Sequence, residues 1–256
     1  MHNIKWSVFY GQWIYGKWTI FRETWLIYWN FKFAVLWYSI LSFLKGVQLV
    51  DVKTAILHRR SIRRFSPEPV DSSLLIELVS LARLYASGGN LQPVRFSIQS
   101  SPSYLNQLFQ LLHWAAYLPD FHISVEEQPP AYIILLRDTK ISHACPFEIG
   151  AAATTLMLAA QEHGLATCCI GNFSAKSLSA LLSIPAEYVP ELVIAIGYPA
   201  QASATEDLTD SVRYAEDNHG NMLVPKYRLE DILIDLPPVS HSLLHGGRNN
   251  ACTKPF

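Results

Sequence analysis

Apolar positions recur along the chain with two periods, and these divide it into helices and strands. Leu74, Leu75, Leu78, Val79, Leu81, Ala82 and Tyr85 form the broad stripe of a helix that Asp71 or Ser72 can cap. Ser87, Gly88, Gly89 and Asn90 end it, since glycine or asparagine takes the left-handed conformation easily. A shorter helix runs from a cap at Asp51 through Ala55, Ile56 and Leu57 into His58. Val94 to Ile98 alternates as a strand does. Tyr104 to Leu118 is predicted as helix, and Ala131 to Leu136 as a buried strand behind Pro129 and Pro130. Phe147 to His163 is a helix rich in small residues, closing at Gly164. Ala166 to Ile170 and Leu192 to Ile196 are strands, with a short helix from Ala175 to Leu182 between them. The connections are irregular, and no Gly-x-Gly-x-x-Gly turn follows a strand, which argues against a doubly wound dinucleotide-binding sheet. The expectation is an α+β fold in which helices cover a mainly antiparallel sheet.

Composition narrows this further. The 256 residues carry a formal net charge of −1, are half hydrophobic and 16% charged, as suits one folded domain of ordinary size. Near-neutral charge gives no case for nucleic acid. Six of the seven tryptophans lie between Trp6 and Trp37. Residues 1–48 therefore stand apart as an aromatic-rich extension, 49–236 as the folded domain, and 237–256 as a tail. Three readings of the extension stay open: a membrane anchor or interfacial helix, an ordered extension packed on the domain, or a stretch upstream of the natural start. Lys45-Gly46-Val47 can be encoded by a purine-rich ribosome-binding sequence, with Leu49 or Val50 as the start. Membrane contact is expected only through 1–48. Cys145, Cys168, Cys169 and Cys252 lack zinc-ligand spacing, and neither a metal site nor a catalytic thiol is expected. A reduced, cytoplasmic protein is the simplest reading.

The chemistry gathers in His58-Arg59-Arg60-Ser61-Ile62-Arg63-Arg64-Phe65. Four arginines within six residues, with a hydroxyl among them, can hold a phosphate by forked, charge-assisted hydrogen bonds. Alone, a basic run is more often a solvated helix end or a polyanion patch. The second motif, Ala86-Ser87-Gly88-Gly89-Asn90-Leu91-Gln92-Pro93, shifts the balance. Its glycines let the backbone approach a ligand, and Asn90 and Gln92 offer amides.

Arg-Arg-Ser-x-Arg-x-Phe followed by Ser-Gly-Gly-Asn-x-Gln-Pro resembles the nitroreductase family of FMN-dependent oxidoreductases, over about residues 51 to 235. The resemblance implies a nitroreductase-like α+β fold, an intertwined homodimer, and FMN at its interface. NADH or NADPH would supply a hydride, and a nitroaromatic, a quinone or a similar small electrophile would accept it. A flavin-binding carrier or sensor without turnover is the alternative. By motif position, Arg59 and Ser61 correspond to phosphate and ribityl contacts, with Arg60 as a helper. Arg63 matches a cation near the pyrimidine edge of the ring. Ser87, Asn90 and Gln92 fall in the second motif. Gly164-Leu165-Ala166-Thr167 to Gly171 resembles a later segment of the family, which implies that backbone groups of Ile170 and Gly171 face the hydride-carrying edge. Val224-Pro225-Lys226-Tyr227-Arg228-Leu229 resembles the C-terminal segment, where either Lys226 or Arg228 returns to the phosphate; the guanidinium fork favours Arg228. Family members often have an aromatic residue where Val94 stands. The flavin performs the chemistry, so no catalytic side chain is expected. Arg64 is read as solvent-exposed, Glu148 as a first-turn acid, and His113 and His163 as surface histidines. Arg213-Tyr214 stands out without an assigned role.

Overall fold

The computed structural model describes residues 50–234. The aromatic-rich segment 1–48, the tail 237–256 and Cys252 lie outside the described residues. Helix α1 (Val52–His58) leads to the arginine segment. Helix α2 (Ser72–Ala82) starts at Asp71, whose carboxylate accepts the Ser73 N–H at 2.7 Å and the Ser73 hydroxyl at 2.6 Å. Strand β1 (Val94–Gln99), helix α3 (Pro102–Leu111) and strand β2 (Ala131–Asp138) follow. Next come helix α4 (Pro146–Glu162), strand β3 (Ala166–Ile170), helix α5 (Ala175–Leu182) and strand β4 (Tyr188–Gly197). Strands β5 (Ser203–Asp207), β6 (Ala215–Glu216) and β7 (Met222–Lys226) precede a last short helix, α6 (Leu229–Ile232).

The main sheet has the order β1-β2-β4-β3, and every neighbouring pair is antiparallel. This is the expected α+β architecture. Strand β2 is central, and its unbroken apolar run follows from helices on both faces. Ala131, Ile133 and Leu135 point into a core with Leu75 and Leu78 of α2 and Ala152, Ala153 and Leu156 of α4. Tyr132, Ile134 and Leu136 point into the opposite core, with Leu108 of α3 and Leu178 of α5. The small residues of α4 let it lie close to the sheet. Gly164, at φ +67°, closes that helix. Its N–H reaches Gln161 O and the Leu165 N–H reaches Ala160 O, so the last carbonyls are satisfied and β3 begins at once.

Helix α3 stops at Leu111 rather than at Leu118 as expected. Leu112 turns extended and pairs with Phe173, the His113 N–H donates to Asn172 O at 3.0 Å, and Ala115 sits at φ +46°. Pairing with a segment distant in sequence outweighed local helix preference. A second sheet, β5-β7-β6, joins β5 to β7 in parallel and β6 to β7 antiparallel, and Gly220 at φ +79° turns the hairpin. Among the described residues no helix is long and apolar enough to cross a membrane.

Candidate functional site

The arginine segment leaves α1 with the Arg59 N–H still bound to Ala55 O. It then runs beside the outer edge of β3. Ser61 pairs in parallel with Thr167, and the Ile62 N–H donates to Thr167 O at 3.1 Å. Ile62 and Phe65 are buried in the core shared with α3 and α5, which fixes the segment's pleat. The Ala200 N–H donates to Arg64 O and the Ser66 N–H to Tyr198 O, tying the far end to the exit of β4. Gln201 completes the anchorage. Its Oε1 accepts the N–H of Arg63 at 2.7 Å and of Arg64 at 3.0 Å, while its Nε2 donates to Gly220 O at 2.9 Å.

The four arginines divide by their partners. Arg64 pairs with Glu216 and with Glu127, donates to the carbonyls of His122 and Gly220, and lies over the Phe121 ring at 4.7 Å. Its side chain is only 15% exposed, which corrects the expectation of a solvated Arg64. Two carboxylates and two carbonyls from separate segments make burial of this cation favourable. Arg59, Arg60 and Arg63 form no ion pair among the described residues. Arg60 donates to Arg59 O at 2.7 Å and to Thr205 Oγ1 at 3.4 Å, and its buried Nε has no partner among the described residues. Burial, and secondly the charge of Arg59, lower its pKa. Arg63 is 9% exposed. Its guanidinium makes one long hydrogen bond, to Ser61 O at 3.4 Å, and lies 4.6 Å from the Tyr214 ring centre.

The other predicted residues fall in two groups. Ile170, buried, ends β3, and exposed Gly171 follows with open space where a Cβ would stand. Lys226 ends β7, opposite Asp207 of β5, and Arg60 reaches the same β5 through Thr205. The first, third and last motifs are thus linked through β3 and β5. Arg228 holds Asp231 at 3.1 Å and Glu230 at 3.3 Å, whereas Lys226 forms no ion pair among the described residues. The loop of Ser87, Asn90 and Gln92 is held by contacts of its own. Among the described residues, no hydrogen bond or ion pair joins it to the arginine segment. Gly89, Asn90 and Gln92 all have positive φ. Ser87 Oγ accepts the Gln92 N–H at 2.9 Å, and the Gln92 amide donates to Asn90 Oδ1 at 3.1 Å. Glu148, in the first turn of α4, accepts the Gly88 N–H at 3.3 Å, so it braces this loop as well as favouring the helix N-terminus.

Gln201 and Thr205 carry no sequence motif, and only contacts between distant segments reveal them. Cys145 and Cys168 are buried, and burial raises both thiols; it pushes Cys169 up to about 12. Protonated thiols are poor nucleophiles. Among the described residues no cluster of His, Cys, Asp and Glu could hold a metal ion.

Comparisons with known proteins agree with this layout. The chain is 27% identical over 174 residues to the "Putative NADH dehydrogenase/NAD(P)H nitroreductase" of Methanothermobacter thermautotrophicus, covering 65% of this chain and 87% of that protein. A protein of the same name from Bacteroides thetaiotaomicron has a crystal structure that superposes with a TM-score of 0.54 at 20% identity, covering 72% of this chain and 96% of that one. The structure of an FMN-dependent nitroreductase from Clostridium difficile R20291 gives a TM-score of 0.51 at 23% identity, covering 61% and 91%. These two likenesses bear on the fold. The family model described as the nitroreductase family matches residues 56–198, which takes in the whole arginine segment, the loop at 87–92 and β3 through β4. The chain belongs to the nitroreductase family.

Proposed function

We propose that this chain uses bound FMN to pass a hydride from NADH or NADPH to a nitroaromatic, a quinone or a similar small electrophile. An FMN-dependent NAD(P)H oxidoreductase is what family membership entails; the acceptor and the residue roles are the proposal. FMN, when bound, supplies a ring that can accept a hydride and give it up again. The observation that carries the assignment is the row Arg59, Arg60 and Arg63. Among the described residues these cations have no carboxylate partner, while adjacent Arg64 has two. The nearly buried Arg63 guanidinium makes one long hydrogen bond among the described residues, which leaves donors for an acceptor from outside the chain.

The residues fit FMN in order. Arg59, helped by Arg60, would bind the phosphate, and Ser61 the ribityl chain. Arg63 would lie toward the pyrimidine edge, where a positive charge favours the anionic reduced ring. The backbone of Ile170 and Gly171 would orient the hydride-carrying edge, and nothing lies within 4 Å of where a Gly171 Cβ would stand. Of the late cations, Lys226 is now the better phosphate candidate, because Arg228 is held by two carboxylates. In the homodimer expected of the family, a second copy would bring Ser87, Asn90 and Gln92 to the flavin. The buried, protonated thiols suit a cytoplasmic location.

The test is spectroscopic. The purified protein should be yellow and release FMN on denaturation. Anaerobic NADH or NADPH should bleach it, and a quinone or nitroaromatic should restore the colour. A colourless protein that does not take up FMN would overturn the reading. Bleaching that no acceptor reverses would leave a flavin carrier.

A further inference from the structure

We infer that Tyr214 is a positioning residue for Arg63, holding the guanidinium by its ring face so that the charge stays available to the flavin. The inference rests on the reading of Arg63 given above. The Arg63 guanidinium lies 4.6 Å from the Tyr214 ring centre, in a residue only 9% exposed. A carboxylate in that place would hold the cation more tightly but would neutralise it. An aromatic face attracts the cation and fixes its plane without taking its N–H donors. One of those donors reaches Ser61 O at 3.4 Å, which leaves the rest of the fork for a ligand edge.

The ring is itself held. Tyr117 packs against it with centroids 5.0 Å apart and an interplanar angle of 55°, and Arg213 lies 5.6 Å from the Tyr117 centre. Two residues further on, Glu216 is pinned by Arg64, and Gly220 O is held by both Arg64 and Gln201. The same Gln201 fixes the backbone N–H of Arg63. Cation and ring are therefore fastened to one frame. The Tyr214 hydroxyl makes no hydrogen bond among the described residues, so the ring face is the working part.

The experiment uses the FMN-loaded protein and reads the midpoint potential of the bound flavin in anaerobic redox titration. Four variants are compared with the parent at matched FMN content: Tyr214→Phe, Tyr214→Leu, Arg63→Ala, and the last two combined. Tyr214→Phe should leave the potential in place. Tyr214→Leu should make it more negative, as Arg63→Ala does, and the double variant should be no more negative than Arg63→Ala alone. If Tyr214→Leu loses flavin, Tyr214→Met serves in its stead. A shift for Arg63→Ala with none for Tyr214→Leu, or additive shifts in the double variant, would overturn the inference while leaving the role of Arg63 intact. An unchanged potential in Arg63→Ala would overturn both.

Discussion

Arg64 and Glu216 lie 152 residues apart in sequence and form an ion pair that closes the arginine segment against the β6–β7 hairpin. Glu127 and the His122 carbonyl draw a third segment to the same guanidinium. Arg64→Ala leaves two carboxylates and two carbonyls short of a donor, and should cost about 2–3 kcal/mol in urea denaturation. Arg64→Lys keeps the charge but cannot reach four acceptors, so it should recover only part of the loss. Equal stability of Arg64→Ala and the parent would show the network to be idle.

Gly197 ends β4 beneath the ring of Pro130. A Cβ there would come within 2.6 Å of Pro130 Cδ, 2.8 Å of its Cγ and 3.1 Å of Phe65 Cδ1. Gly197→Ala should destabilise the fold by roughly 1–3 kcal/mol, the usual range for overpacking. Because Phe65 follows the arginines directly, the variant should also loosen flavin retention, measured as FMN released on dialysis.

For the phosphate end, Arg59→Ala should remove a charge-assisted contact of about 1.5–3 kcal/mol, or roughly ten- to more than a hundredfold in FMN affinity. Riboflavin should bind the parent far more weakly than FMN and should be almost indifferent to the substitution. Fluorescence titration of the flavin-free protein measures both. Equal affinities for FMN and riboflavin would remove the phosphate assignment.

Burial raises the thiols of Cys168 and Cys169, the latter from 9.0 to about 12. A folded thiol that keeps its proton when the unfolded one has lost it favours folding at low pH. That contribution is complete below the unfolded pKa and falls away as pH rises from about 9 toward 12. The urea midpoint should therefore drop between pH 8 and pH 10, and less steeply in Cys168→Ala/Cys169→Ala. Tyr132 and Tyr85, also raised by burial, act in the same direction, so the slope should flatten without vanishing.

Much of this was legible in the chain because it is written locally. The stripe of Leu75, Leu78 and Ala82, the cap at Asp71 and the stop at Gly164 each show within one or two helical turns of sequence. The arginine segment and the 87–92 loop show as motifs because their residues are consecutive. What escaped depends on distance. The end of α3 is set by Leu112 meeting Phe173, and the burial of Arg64 by carboxylates at 127 and 216. No window of sequence contains both partners of such a contact. The short strands β5 and β6 were hidden for a similar reason: their largely exposed, polar residues carry little periodic signal, and each is defined by pairing with β7.

The parallel pairing of Ser61 with Thr167 makes the arginine segment a ruler. Four residue steps separate Arg59 from Arg63, at most about 14 Å of chain. That pairing and the Ile62 N–H on Thr167 O hold the backbone midway between the two cations, which are the ruler's two marks. Any molecule gripped at both marks must match that length. On the proposed assignment, a molecule lengthened or shortened between its ends would satisfy either mark but not both, and the segment would select its ligand by measure as well as by charge.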